Sequence, residues 1–295
     1  MRELIPKIDV VIEILDARAP FSSSNPLIEE IIGEKPVIRI LNKADLADES
    51  RAAAWHDYLT RDHQYVFDAV ATKRSTLTQL PERCHAINQR QKKTGEDVNA
   101  LITGIPNVGK STLINSLAKR AVAKTGNEPA VTKRQQPIRI DGDLTLYDTP
   151  GILWPDLAHE NISMRLSTIG CIRETVVDYE EAALFSARFM HSNYPTQVEN
   201  LLKTADPRSD AIDVQIIESF GQKRGAIKSG GYVDFERAAR SFVMDIRSGA
   251  MGRLTLELPE ETEQEKLEIA ERLETKKAKK ARRKSSKNDS STEKD

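Results

Sequence analysis

The segment Gly104-Ile105-Pro106-Asn107-Val108-Gly109-Lys110-Ser111 has the residue types and spacing of a phosphate-binding loop. Glycine at both ends lets backbone N–H groups converge on a phosphate at the start of a helix, where the helix dipole also favours an anion. In that geometry Asn107, Val108, Gly109, Lys110, Ser111 and Thr112 surround the phosphates. The Lys110 ammonium neutralises β- and γ-oxygens, and the Ser111 hydroxyl ligates Mg²⁺. Asn107 admits two readings. Its side-chain carbonyl holds a monovalent cation such as K⁺ against the phosphates, or the side chain braces the loop.

Asp148-Thr149-Pro150-Gly151 follows at the end of a short apolar run. Its distance from Lys110 predicts a switch, with Asp148 holding Mg²⁺ through water and the Gly151 N–H meeting the γ-phosphate. Between the two motifs the polar stretch 126–137 carries Thr132, placed where a sensor of Mg²⁺ and γ-phosphate belongs; Thr125 and Thr149 compete for that role. Lys110, Thr132 and Gly151 are thus the expected catalytic groups, with Ser111, Thr132 and Asp148 around the metal. Ile152 stands where a Ras-like enzyme has a water-orienting glutamine, so intrinsic hydrolysis is expected to be slow and activation to come from elsewhere.

Asn42-Lys43-Ala44-Asp45 adds base selectivity. The Asp45 carboxylate can accept from N1–H and the exocyclic amine of guanine, a pairing adenine cannot supply. Asn42 braces the base and the loops, and the Lys43 stem packs on the ring. GTP and GDP are therefore expected rather than ATP. The order is inverted: in an ordinary GTPase the base-reading motif comes last, whereas here it precedes the phosphate loop. The same parts are present in circularly permuted order.

These motifs need a scaffold. Val/Ile-rich runs at 8–15, 36–41, 64–70 and 100–104 read as buried strands, and helical patterns at 50–59 and 111–117 lie between or after them. Such alternation implies a mostly parallel sheet with helices on both faces. Residues 138–140 and 144–147, joined by Asp141-Gly142-Asp143, read as a hairpin, and the polar stretch 89–99 as the join made by the permutation. From 159 strand signals vanish, and 162–172, 179–194, 211–220 and 234–246 read as helices. The expected architecture is α/β. A circularly permuted P-loop GTPase domain over 1–158 precedes a small all-helical domain over 159–258 and a charged, disordered tail over 259–295, the first stretch of which also admits a helix.

Of the 295 residues 39% are hydrophobic and 30% charged, the net charge is −1, and the mean hydropathy is −0.50. No apolar run approaches bilayer length and no signal-peptide pattern opens the chain, so the expectation is a cytoplasmic protein with no membrane contact. Cys84 and Cys171 lack metal or redox spacing and are expected to be reduced core residues. The five histidines show no metal spacing either.

Taken in this order, the motifs resemble those of the circularly permuted ribosome-biogenesis GTPases of the YlqF or RbgA family. The resemblance runs from Ile8 to about Leu258. It includes Asp16-Ala17-Arg18-Ala19-Pro20, Asn25-Pro26, Leu41-Asn42-Lys43-Ala44-Asp45, the phosphate loop, Asp148 through Pro155, and Gly230-Gly231. It implies a C-terminal helical RNA-binding domain and a role in late assembly of the large ribosomal subunit. Three features depart from the family pattern. An opening Phe-Pro-Gly-His-Met segment is absent, so a truncated or mis-started N-terminus is expected. Ala130 replaces a glycine two residues before Thr132. The base-contacting Ser-Ala segment has Ala69–Ala71 as its nearest counterpart.

Residues 223–253 carry Lys223, Arg224, Lys228, Arg237, Arg240, Arg247 and Arg253 against Asp234, Glu236 and Asp245. On a helix, Arg237, Arg240, Met244 and Arg247 fall within a stripe of about 80°, opposite an apolar face formed by Phe235, Ala238, Ala239, Phe242, Val243 and Ile246. Lys223, Arg224, Lys228, Arg237, Arg240 and Arg247 are the expected RNA contacts, made to the backbone of structured RNA. The alternative is a solvated helix edge. The basic run 276–287 either adds salt-dependent affinity or serves as a solubilising tail. The expected function is a monomeric, GTP-switched assembly factor acting on the precursor of the large subunit, its rRNA and its proteins, with slow hydrolysis stimulated by the subunit. Two alternatives belong to other classes: an RNA-binding scaffold with structural or very slowly hydrolysed GTP, and a small-molecule kinase.

Overall fold

The computed structural model describes residues 3–60, 65–89, 97–123, 137–140, 143–151, 153, 159–202 and 209–289. Six strands form one sheet in the order β3-β2-β1-β4-β6-β5: β1 (Val10–Asp16), β2 (Val37–Asn42), β3 (Tyr65–Ala69), β4 (Val98–Thr103), β5 (Pro137–Arg139) and β6 (Leu144–Asp148). All pairings are parallel except that of β5 with β6. Helices α1 (Pro20–Ser23), α2 (Pro26–Ile32), α3 (Glu49–Thr60), α4 (Leu80–Gln89) and α5 (Lys110–Ala118) lie between the strands in sequence.

β1 is buried along its whole length because both faces of the sheet are covered, so its sequence is mostly apolar rather than alternating, and its two carboxylates are paired, Glu13 with Arg39 and Asp16 with Arg18 and Lys43. Successive side chains point to opposite faces. Val10, Ile12 and Ile14 share a core with Leu80, Cys84 and Ile87 of α4 and Leu113, Ile114 and Leu117 of α5. On the other face Leu15 packs with Trp55 and Leu59 of α3, and Val11 with Ile28 and Ile32 of α2. The expected join at 89–99 falls mostly on 90–96, outside the described residues, as do hairpin residues Asp141 and Gly142. Both cysteines are buried and free, and burial pushes each thiol up to about 12, which keeps them inert.

The helical half contains α6 (Glu160–Ile169), α7 (Tyr179–Asn193), α8 (Pro195–Leu202), α9 (Ile212–Arg224) and α10 (Phe235–Ser248). The last four share a second core in which Ala182, Ala183 and Ala187 of α7 face Ala238, Phe242 and Val243 of α10. Gly221 of α9 is a close-approach point, since a Cβ there would lie 2.6 Å from Val233 Cγ1 and 2.8 Å from Ala238 Cβ. α6 behaves differently. Its Ile162, Leu166 and Ile169 belong to the sheet's core, while it also packs against α7 and α10.

Instead of the disordered tail expected over 259–295, Pro259–Asp289 forms a helix, α11, and 290–295 lie outside the described residues. Proline and two glutamates in its first turn suit a helix N-terminus. Its anchors are largely polar. Glu265 accepts from Arg165 Nη1 and Nη2 of α6 at 2.7 and 2.8 Å, and Glu263 and Lys266 both meet the Tyr58 hydroxyl of α3. Ile269 adds an apolar contact to the sheet core. Among the described residues no helix is long and apolar enough to cross a membrane.

Candidate nucleotide site

The phosphate loop leaves β4 at Gly104, where a side chain has no room: a Cβ would lie 2.8 Å from the Ile14 carbonyl oxygen of neighbouring β1. Asn107 (φ 63°) and Gly109 (φ +96°) take left-handed conformations, and Gly109 caps the N-terminus of α5. A phosphate loop is thereby turned onto a helix start between two buried strands. Val108 is buried, and Ser111 and Thr112 are half-buried on the first turn. Lys110 donates to the Asp148 carboxylate, and both residues are buried. Thr149 follows at the end of β6, its N–H and hydroxyl both on the Ile102 carbonyl, and Gly151 lies against the backbone of Pro106. Thr132, Ala130 and Ile152 lie outside the described residues.

The base-reading motif comes off the end of β2. Asn42 spans the site: its Nδ2 donates to the Val108 carbonyl at 2.6 Å, and its Oδ1 accepts from the Ala71 N–H at 2.9 Å. A Cβ on Gly109 would come within 2.2 Å of that same Nδ2. The Ala69–Ala71 stretch therefore sits beside the motif, and the Ala69 carbonyl accepts from Ala44 N–H at 3.1 Å. Lys43 (φ 60°) reaches Asp16 at 2.8 Å, and half-buried Asp45 accepts at its backbone carbonyl from Arg253 Nε at 3.1 Å. Asp16 is fully buried; burial alone would raise its pKa, but the charges and hydrogen bonds of Arg18 and Lys43 outweigh it and hold the carboxyl well below the usual carboxylate range.

Asn107 braces the loop in this structure, donating from Nδ2 to the Gly170 carbonyl at 2.9 Å. Motif reading does not identify Arg18 as part of the site's framework. Its Nε and Nη2 hold Asp16 at 2.9 and 2.8 Å, and Nη2 also reaches the Ile169 carbonyl at 3.2 Å. The Asp-Ala-Arg-Ala-Pro segment is the only sequence signal for it. Among the described residues no cluster of His, Cys, Asp and Glu forms a metal centre of its own.

The basic residues of the helical half divide. Lys223, Arg224, Lys228, Arg237 and Arg240 are exposed around α9 and α10, as expected. Arg247 is not on that exposed edge. Its Nη2 and Nε turn inward to the Ser167 and Thr168 carbonyls at 2.7 and 3.0 Å, at the C-terminus of α6, where helical bonding runs out and the Ser167 carbonyl otherwise meets only the Gly170 N–H at 3.2 Å. Tyr232, 77% exposed, sits between Gly231 and the Ile227–Val233 bridge and adds an aromatic face to this surface that the helical pattern does not reveal.

The family model for the 50S ribosome-binding GTPase matches residues 99–215. Ribosome biogenesis GTPase A from Bacillus cereus is 36% identical over 279 residues, covering 92% of this chain and 93% of that protein. A GDP-bound structure of TM YlqF superposes with a TM-score of 0.65 at 27% identity, covering 88% of this chain and 98% of that chain. For GNP-bound YlqF from T. maritima the TM-score is 0.61 at 27% identity, covering 88% and 96%. Likeness of this extent, together with a phosphate loop and a guanine motif assembled in permuted order, means that the chain belongs to the ribosome biogenesis GTPase A (YlqF/RbgA) family of circularly permuted GTPases.

Proposed function

We infer that this protein binds and hydrolyses GTP as an assembly factor for the large ribosomal subunit, acting as a cytoplasmic monomer on the subunit's precursor. The observation that carries the reading is Asn42, whose one side chain ties the base-reading motif to the phosphate loop and to Ala71. Both ends of a guanine nucleotide would thus meet one braced floor despite the permuted order. The 50S subunit in the family model's description supports the choice of subunit, and the GDP- and GNP-bound neighbours support the nucleotide.

On this reading Asp45 selects guanine, Lys43 flanks the ring, and the amides from Asn107 to Thr112 cradle the phosphates. Lys110 exchanges Asp148 for the β- and γ-oxygens when nucleotide binds. The Ser111 hydroxyl and the buried Asp148 carboxylate, already beside one cation, form a hard-oxygen donor set that fits Mg²⁺ and would hold it, supplying charge neutralisation at the phosphates. Thr132 and the Gly151 N–H serve as γ-phosphate sensors. Water attacks in line while Lys110 and the loop amides stabilise the developing charge. K⁺ is assigned to Asn107, whose amide nitrogen is already oriented by Gly170.

The GTPase domain ends near 158 and the RNA-binding domain spans 159–258. RNA is held by Lys223, Arg224, Lys228, Arg237 and Arg240. Three of these have surface carboxylate partners: Arg224 with Asp245, Lys228 with Asp234 at 3.6 Å, and Arg240 with Glu174 at 3.4 Å. Exposed pairs contribute at most about 1 kcal/mol, so phosphate can displace them. The test is GTP turnover measured with and without large subunits, in K⁺ and in Na⁺. The expected result is slow turnover alone, stimulation by the subunit and a further gain in K⁺. Turnover indifferent to subunits would overturn the switch and favour a scaffold.

A further inference from the structure

The last residues of α6 gather side chains from three separate parts of the molecule. A helix leaves its final carbonyls without intrahelical partners. Here four consecutive carbonyls each receive a side-chain donor: Ser167 and Thr168 from Arg247 at 2.7 and 3.0 Å, Ile169 from Arg18 at 3.2 Å, and Gly170 from Asn107 at 2.9 Å. Arg247 belongs to the helical bundle and Asn107 to the phosphate loop. Arg18 is joined through Asp16 to Lys43 of the base-reading motif, and its Nη1 also reaches the backbone carbonyl of Arg247 at 3.3 Å. Gly170 keeps the turn open, for its φ is +82° and a Cβ would lie 3.2 Å from Arg247 Nε.

The geometry points to the Ser167–Gly170 turn as a junction that couples guanine-nucleotide occupancy to the docking of the helical bundle, with Arg18, Asn107 and Arg247 as its positioning residues. Lys43 and Asn107 sit at opposite ends of the nucleotide site, so both ends bear on one turn, and Arg247 carries its position into α10. The path runs through described residues and does not use the 148–155 switch. Arginine suits both relay positions because its planar fork offers five donors in fixed directions, which lets Arg18 hold a carboxylate and two carbonyls at once. Coupling of this kind is reciprocal, so a ligand that tightens the bundle must tighten nucleotide binding by the same factor.

The inference rests on the nucleotide reading above. Amide hydrogen exchange of the full chain, with and without fluorescent mant-GDP, tests it at peptides spanning 160–176 and 235–249. The expected result is slowing of at least about fivefold on nucleotide binding in the wild type, loss of that response in Arg247→Gln, and an intermediate response in Arg247→Lys. Purely structural packing would slow exchange equally with or without nucleotide. A wild-type response below that level, or one retained in full by Arg247→Gln, would overturn the junction. If Arg247→Gln does not fold, a full response in Arg247→Lys overturns it instead, and a reduced one supports it. A wild-type chain that fails to bind mant-GDP would overturn the nucleotide reading itself.

Discussion

At Gly109 the backbone stands at φ +96°, and a Cβ would meet the Asn42 amide nitrogen at 2.2 Å. The glycine is thus required twice, once by the left-handed turn and once by the brace between motifs. Gly109→Ala should cost about 1–2 kcal/mol in backbone strain alone, and displacement of Asn42 should weaken mant-GDP binding by about tenfold or more. A titration that finds unchanged affinity would show that Asn42 does not brace the site. Asp16 makes a second prediction. Its folded pKa lies below the ordinary 3.8, because Arg18 and Lys43 overcome the opposing effect of burial. Its contribution to stability is therefore full above that value and drains away as pH falls below it towards the depressed folded value. Urea unfolding from about pH 6 down to about pH 3 should show Asp16→Asn well below the wild type at the upper end. The gap should narrow below 3.8; a constant gap would mean that the carboxylate is not held by these two cations.

Elements whose signal lies in apolar side chains are legible in the sequence. The strands expected at 8–15, 36–41, 64–70 and 100–104 appear as β1 to β4 within a few residues, because a parallel sheet covered on both faces favours short segments rich in apolar side chains. The bundle helices α7, α9 and α10 follow from their helical apolar periodicity. Contiguous motifs such as 104–111 and 42–45 are legible for the same reason, since each is a local string. The junction at 167–170 is not, because its acceptors are backbone carbonyls and its donors come from places distant in sequence. α11 is legible only as a helical option for its first stretch, because charge pairs hold it more than an apolar stripe does. Its anchor can be tested. Arg165 is buried between Glu257, 4.0 Å away, and Glu265, with two close bonds to the latter. Removing one member of a buried ion network strands the others, so Arg165→Ala should destabilise the protein by about 3–5 kcal/mol. Glu265→Ala should release α11, read as rapid hydrogen exchange over 259–275. Unchanged protection there would place the anchor elsewhere.

For the whole molecule, the chain order matters because polypeptide leaves the nucleotide domain after β6 and returns to it after α10. On its return, Leu254 and Leu256 donate to the Leu46 and Arg18 carbonyls at 3.0 and 2.7 Å. The Glu257 carboxylate then accepts from the N–H groups of Phe21 and Ser22, both at 2.8 Å. The helical half is therefore held to the nucleotide domain at the α6 junction and along this returning segment, rather than hung from the switch alone. α11 extends the returning chain, with its acidic first half fixed to α3 and α6 and its basic run 276–287 following in the same helix. Deleting 276–295 keeps the Arg165–Glu265 anchor and should leave mant-GDP affinity unchanged. For every RNA phosphate that the shortened chain no longer neutralises, the slope of log affinity against log salt should fall by about 0.7–0.9. A run this basic should neutralise several phosphates, so the drop should be well resolved in a salt titration with ribosomal RNA. If the slope stays the same after the deletion, the run serves solubility and takes no part in the proposed RNA binding.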